Sequence, residues 1–431
     1  MSRTQQCRSW LLALALLLGA WSLAWPTQVD GAASKKNAVS PESRNGASST
    51  IPFLLDTQRV LLDVTFEQSD GARRKALVWF NMGMAAPVLS KRLYRELAID
   101  RGQPLRMRIG DTAVGVASNA VVDGDGGIGV PSFAHLFAPH AVEAMLPVGV
   151  LQQFVVILDY KRRTLTLARP GAQKIDGVAV PAAINPDTGL ITVAASIGGD
   201  TYPLVVDAGT GYSWMRGDVV ARWLASHPEW RRAQGAVGQS NANMVDYAFE
   251  KDGVVARIPE ISLGAVRLRD VGLLGTAPIL GRFADSLIGD LFWDNWRKSA
   301  TGPVVGWLGG NALKNFKLTI DYPNRTIYWQ KQSEADRHDL DQVGLTLVRR
   351  SDRYFIGGIV RKANPGGADN STVQGVEVGD ELIAVNGIEV PGAAKDAVLS
   401  ALHGRPGEQR TLVIEHGGVR REIDVFVTPF D

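Results

Sequence analysis

Asp207 is the residue best placed to do chemistry. It ends the β-branched run of Leu204–Met215 (LVVDAGTGYSWM), where Ala208, Gly209 and Thr210 form a tight turn and the chain then resumes as an apolar segment. Glycine lets the backbone reverse closely enough to present the preceding side chain. A carboxyl group presented in this way is a candidate general acid or base. A hairpin turn with a solvated Asp is the competing reading of this stretch alone.

A second stretch bears on that choice. Leu77–Leu89 (LVWFNMGMAAPVL) aligns with Pro203–Met215 (PLVVDAGTGYSWM), which places Asn81 opposite Asp207 and Gly83 opposite Gly209. Further along, Leu151–Thr164 (LQQFVVILDYKRRT) recurs as Leu313–Thr326 (LKNFKLTIDYPNRT) at a constant offset of 162 residues. The chain thus carries one unit twice. From Asn81 to Phe154 the first copy spans 73 residues and from Asp207 to Phe316 the second spans 109, an insertion of 36. The insertion accounts for the helix-like segments Asp218–Arg232 and Arg282–Lys298, whose Trp223, Trp230, Trp293 and Trp296 read as packing for those helices.

Other chemistries have no residues to support them. Cys7, the only cysteine, lies ahead of an apolar run, so thiol nucleophiles, disulfides and thiolate metal sites are excluded from the exported chain. The six histidines are scattered and form no metal-ligand pair, so neither a metal nor a cofactor is expected. Gly211-Tyr212-Ser213-Trp214 begins like a serine-hydrolase elbow but ends in Met215. The glycine-rich Asp123–Gly129 lacks the Lys and Ser/Thr of a phosphate loop. Asp187-Thr188-Gly189 follows Asn185-Pro186 between two strand-like runs and reads as a hairpin turn. With 46 basic against 44 acidic residues, nothing suggests nucleic-acid binding.

Short strand-like runs between turn residues dominate from Val60 onward, giving a mainly β class. Residues 1–25 read as a signal peptide for export to the periplasm or beyond, with an uncleaved membrane anchor as the alternative. Residues 26–52 read as a disordered spacer, 53–170 as a first lobe, 178–332 as a second, and 340–431 as a third, distinct unit.

The repeated strand–Asp/Asn–x–Gly turns, each followed by (Leu/Ile)-Asp-Tyr-x-x-Arg, resemble the retropepsin-like aspartic peptidases. Val378–Gly387 (VGDELIAVNG) and Asn364–Ala368 (NPGGA) resemble the signatures of a PDZ domain. The first resemblance implies two tandem β lobes that bring Asp207 and the Asn81 position face to face. It also implies a polypeptide as substrate or ligand. In that family two Asp carboxyls share one proton and so supply acid and base together. Asn81 cannot carry that proton, and Met82 and Ala208 replace the hydroxyl residues of the usual turns. The expectation divides among an aspartic endopeptidase whose pair is completed by another group or a second chain, a non-catalytic relative that binds extended polypeptide between the lobes, and a scaffold with an idle cleft whose active surface is the third unit. The PDZ resemblance implies peptide or chain-terminus capture, with the carboxylate-binding loop and adjoining strand at Tyr354, Phe355, Ile356 and Gly357, for which plain core-strand residues are the competing reading, and Asp380 in a structural role. Oligomeric state is left open.

Overall fold

The computed structural model describes residues 48–430 except 69, 100–101, 125–131, 247, 278–290, 364–368 and 372. The export segment, most of the spacer, most of Asp123–Gly129 and the Asn364–Ala368 turn lie outside the described residues. No helix among the described residues is long and apolar enough to cross a membrane. The spacer is shorter than expected, because the first strand, Ser48–Asp56, begins inside it. Ser48–Pro52 pair with Thr164–Ala168, so these residues are held by a ladder despite their polar composition.

The fold is mainly β, and strand pairing makes the sequence repeat visible as structure. In the first copy Arg73–Asn81 runs parallel to Val142–Pro147, which pairs antiparallel with Val88–Leu89, which in turn runs parallel to Val122–Asp123. The second copy repeats each step: Asp200–Val206 is parallel to Gly306–Leu308, this is antiparallel to Trp214–Met215, and that pair is parallel to Val266–Gly275. In both copies the strand that ends at the Asn81 or Asp207 turn is interior to its sheet, and it starts polar and exposed and becomes apolar and largely buried only in the residues that lead into the turn.

The copies join through their last hairpins. Val155–Asp159 pairs antiparallel with Phe316–Asp321 in the register Val155↔Asp321, Ile157↔Thr319 and Asp159↔Lys317. Exchanging the copies at the offset of 162 maps this register onto itself, so a local two-fold axis passes by Ile157 and Thr319. The hairpin turns obey the same symmetry. Asp159 Oδ1 accepts from Arg162 N at 3.0 Å and Asp321 Oδ1 from Asn324 N at 3.2 Å. Arg163 and Arg325 both take the left-handed region, at φ 53° and 48°. The recurrent Asp-Tyr-x-x-Arg is therefore a turn device, in which the Asp side chain satisfies a backbone N–H and the Arg completes the reversal.

The third unit is a six-stranded sheet ordered Leu345–Arg350, Arg353–Ile359, Glu381–Val385, Gln409–His416, Val419–Phe426, with Ile388–Glu389 beside Glu381–Val385. Helix Lys395–Leu402 turns Lys395, Val398, Leu399 and Leu402 inward, the spacing of one helical face. Asp380 is fully buried and structural: its Oδ2 accepts from Glu377 N, and His416 and Arg421 reach its carboxylate. This unit does not merely hang from the lobes. Its Arg361–Ala363 pairs with Arg232–Gln234 of the second lobe and extends that lobe's sheet.

Candidate functional site

The Asn81 and Asp207 turns meet at the junction of the two lobes. Met82 N donates to Asp207 Oδ1 at 2.8 Å across the lobe boundary, and Gly209 N donates to the same oxygen at 2.8 Å. Thr210 Oγ1 donates to Asp207 Oδ2 at 2.7 Å. On the other turn Gly83 N donates to Asn81 Oδ1 at 2.9 Å. Asn81 is 4% and Asp207 2% exposed. Burial pushes the Asp207 carboxyl above its ordinary range, against hydrogen bonds from Thr210, Gly209, Met82 and Gly83 that favour the charged form.

Two glycines set how closely the turns approach. A Cβ on Gly83 would lie 2.7 Å from Asp207 Oδ2 and 2.7 Å from Trp307 Nε1, and a Cβ on Gly209 would lie 2.6 Å from Asn81 Cα. Gly209→Ala is expected to cost about 1–3 kcal/mol by overpacking. A urea midpoint unchanged from wild type would contradict the contact.

Where a hydroxyl residue would stand in each turn, Met82 and Ala208 are fully buried in the shared core. The lobes are tied instead by Val60 N donating to Ala208 O at 3.1 Å and by Trp79 Nε1 donating to Gly209 O at 2.9 Å. Asp207 N donates to Leu308 O at 3.0 Å, which fixes the turn to the strand behind it.

An aromatic cluster that sequence reasoning did not assemble lies beside the acid. Trp214 and Trp307 stack at 4.1 Å, Trp296 meets Trp307 edge-on at 5.1 Å, and Trp293 lies 5.8 Å from Trp307. Half-buried Met84 packs both here and against the first-lobe cluster around Phe133 and Phe137, so it bridges the lobes. The expectation that Trp293 and Trp296 only pack an added helix thus misses their neighbour Trp307, whose indole reaches the Gly83 turn. Trp223 and Trp230 belong to a separate group with Tyr202.

Asp187-Thr188-Gly189 lies in the hairpin between Ala183–Ile184 and Ile191–Ile197, where Asn185 Oδ1 accepts from Asp187 N and Thr188 N, and Thr188 Oγ1 donates to Ser299 O at the end of the helix that carries Trp296. In the third unit the binding strand expected at Tyr354, Phe355, Ile356 and Gly357 needs correction. Tyr354 and Phe355 pair with Leu382 and Glu381 on one side and with Arg349 and Val348 on the other, and Ile356 N donates to Asp380 O. A strand bonded on both sides cannot accept another. The edge belongs to Leu345–Arg350, a distinction that depends on sheet order and not on the composition of either run.

A further group was invisible in the sequence. Asp56 and Arg59 form a buried ion pair, Lys395 Nζ lies 3.7 Å from Asp56 Oδ2 and donates to Leu136 O, and Asp396 Oδ2 accepts from Thr57 N at 2.8 Å. Burial raises the Asp56 carboxyl, but the charges of Arg59 and Lys395 and the Arg59 hydrogen bond outweigh it and bring it below its ordinary value. Burial and the nearby Arg59 charge push Lys395 down to about 7. The two directions agree once Arg59 is taken as the partner of Asp56 and Lys395 as the surplus cation. The group pins the third unit's helix to the first lobe. Among the described residues no cluster of His, Cys, Asp and Glu has the makings of a metal site.

No protein-family model matches the chain, and no curated protein does. Among solved structures, an aspartic proteinase from Irpex lacteus is similar over 67% of this chain and 98% of its own, at 12% identity and TM-score 0.37. A photosystem II D1 C-terminal processing protease is similar over 21% of this chain and 23% of its own, at 21% identity and TM-score 0.17. The chain therefore spans less than a quarter of that protease. Likenesses so distant decide nothing about function, and the weight falls on the geometry of the chain itself.

Proposed function

We propose that this chain is an exported polypeptide-binding protein built on the two-lobe plan of aspartic peptidases, with a PDZ-like unit that captures peptide, and that it does not perform ordinary two-acid hydrolysis. The observation that carries this reading is the pairing at the lobe junction, where Asp207 faces Asn81. Water attack on a peptide bond needs a base for the water and an acid for the carbonyl oxygen. Two adjoining Asp residues supply both by sharing a proton, whereas an amide can hydrogen-bond but can neither take up nor release one. The hydrogen bonds from Met82, Gly209 and Thr210 to Asp207 already engage both carboxylate oxygens.

The apolar surface beside the turns supports binding. Met84, Trp214 and Trp293 are half-buried, so each combines a fixed position with some open area. Aromatic side chains are strong anchors for apolar residues of a partner because they bury much area at little entropic cost. Export rests on residues 1–25 of the sequence.

A labelled, unfolded casein at neutral pH tests the reading. It is expected to bind saturably and to change the tryptophan fluorescence. Trp293→Ala and Met84→Ser should each weaken binding about tenfold, the scale of a truncated interface anchor. Undiminished binding by both variants would remove this surface from the account, and no binding by wild type would remove the function.

A further inference from the structure

We propose that Asn241–Met244 is an internal ligand of the third unit, seated on the strand edge where that unit would take up a polypeptide, so that capture requires this segment to leave. The inference deepens the capture reading above and rests on it.

Leu345–Arg350 ends its sheet, with Arg353–Ile359 as its one ladder partner among the described residues. Three of its outward backbone groups are nevertheless met. Leu347 N donates to Asn241 Oδ1 at 2.6 Å, Asn241 Nδ2 donates to Leu347 O at 3.1 Å, and Arg349 N donates to Met244 O at 2.7 Å. Residues 347 and 349 have the two-residue spacing at which an added strand bonds an edge. Met244 supplies the side-chain anchor. It is fully buried in the third unit's core with Leu345, Leu347, Tyr354, Val398 and Leu402, although it comes from the second lobe.

The segment resembles a ligand more than a built-in strand. It bonds Leu347 through the Asn241 side-chain amide and not through its backbone, and Met244 sits in the left-handed region at φ 53°. A non-glycine residue there is strained and persists only while its surroundings hold it. Buried Glu250 does the holding: its carboxylate accepts from Asn241 Nδ2, Asn243 N and Met244 N at 2.8, 2.9 and 3.0 Å. An extended peptide could offer the same edge regular backbone bonds without that strain. Because the internal segment is tethered, its effective concentration is high, and an outside peptide binds only in proportion to the fraction of open chains.

The test uses the full chain and, as probe, a fluorescein-labelled synthetic peptide of residues 236–246. An Asn241→Ala, Met244→Ala double variant is expected to bind the probe at least about tenfold more tightly than wild type, because the edge is vacated. Equal affinity for both chains would overturn the inference, and a folded variant that binds no probe would overturn the capture reading beneath it. Should the variant not fold, hydrogen exchange on wild type decides. The amides of Leu347 and Arg349, whose acceptors lie in the segment, should exchange by local opening, well before the Ile356 amide bonded to Asp380 O. Exchange of all three only through global unfolding would show a permanent contact and end the proposal.

Discussion

Asn81→Asp is expected to lose about 3 kcal/mol of stability near neutral pH and to recover most of it in acid. The new carboxyl would face buried Asp207, and two carboxyls in contact cannot both ionise, so one folded-state pKa is raised. Keeping a second buried charge there with no cation to offset it costs on the order of 3 kcal/mol. The sign follows from the raised value: the folded pair keeps a proton that the unfolded chain releases. Its contribution is complete below the unfolded pKa and is lost as pH rises through the folded one. Wild type should show a shallower slope of the same sign, since burial alone raises Asp207. Urea denaturation of both chains across the acid range reads the difference, and parallel stability curves would mean that the two side chains do not meet as described.

The second large effect concerns Asp56. Asp56→Ala leaves Arg59, 1% exposed, without its carboxylate partner and beside the surplus cation Lys395, 0% exposed. Stranding buried charges in this way costs about 3–5 kcal/mol. The double change Asp56→Ala, Arg59→Met should restore much of the loss, because burying neither charge avoids the desolvation as well. Full additivity of the two single losses would argue against a coupled pair. Lys395 carries its own pH signature. Its folded pKa is depressed to about 7, so the unfolded chain binds more protons above that pH, and stability rises between about pH 7 and pH 10. Lys395→Met should flatten the rise, and a persisting slope would assign it to another group.

Much of the two-lobe plan could be read from the sequence because symmetry writes itself in spacing. The Asn81/Asp207 and Asp159/Asp321 correspondences reappear as matching parallel pairs and as one self-symmetric register at Ile157 and Thr319. Motif composition also placed the Asp187 hairpin. What the sequence did not carry are contacts between distant segments with no common period. Lys395 reaches Asp56 across 339 positions, and nothing local marks it as buried except its place on a helix face with Val398, Leu399 and Leu402. Trp214, Trp293 and Trp307 meet from three separate elements. The edge strand was misplaced for a related reason. Leu345–Arg350 and Arg353–Ile359 both read as strands, and only the sheet order shows which one ends the sheet.

The site itself was legible in part. The two turns could be aligned by eye, but the way they are held could not. Trp79 and Val60 donate to the carbonyls of Gly209 and Ala208 and tie the lobes, while Met82 and Ala208 offer no side-chain hydroxyl.

The central claim is most directly tested by a cleavage assay on labelled casein from about pH 3 to about pH 8, the span over which a carboxyl pair would pass through its active protonation state. Wild type and Asp207→Asn should be indistinguishable, with no hydrolysis by either. Hydrolysis by wild type that is abolished in Asp207→Asn would contradict the account and make Asp207 a working catalytic acid.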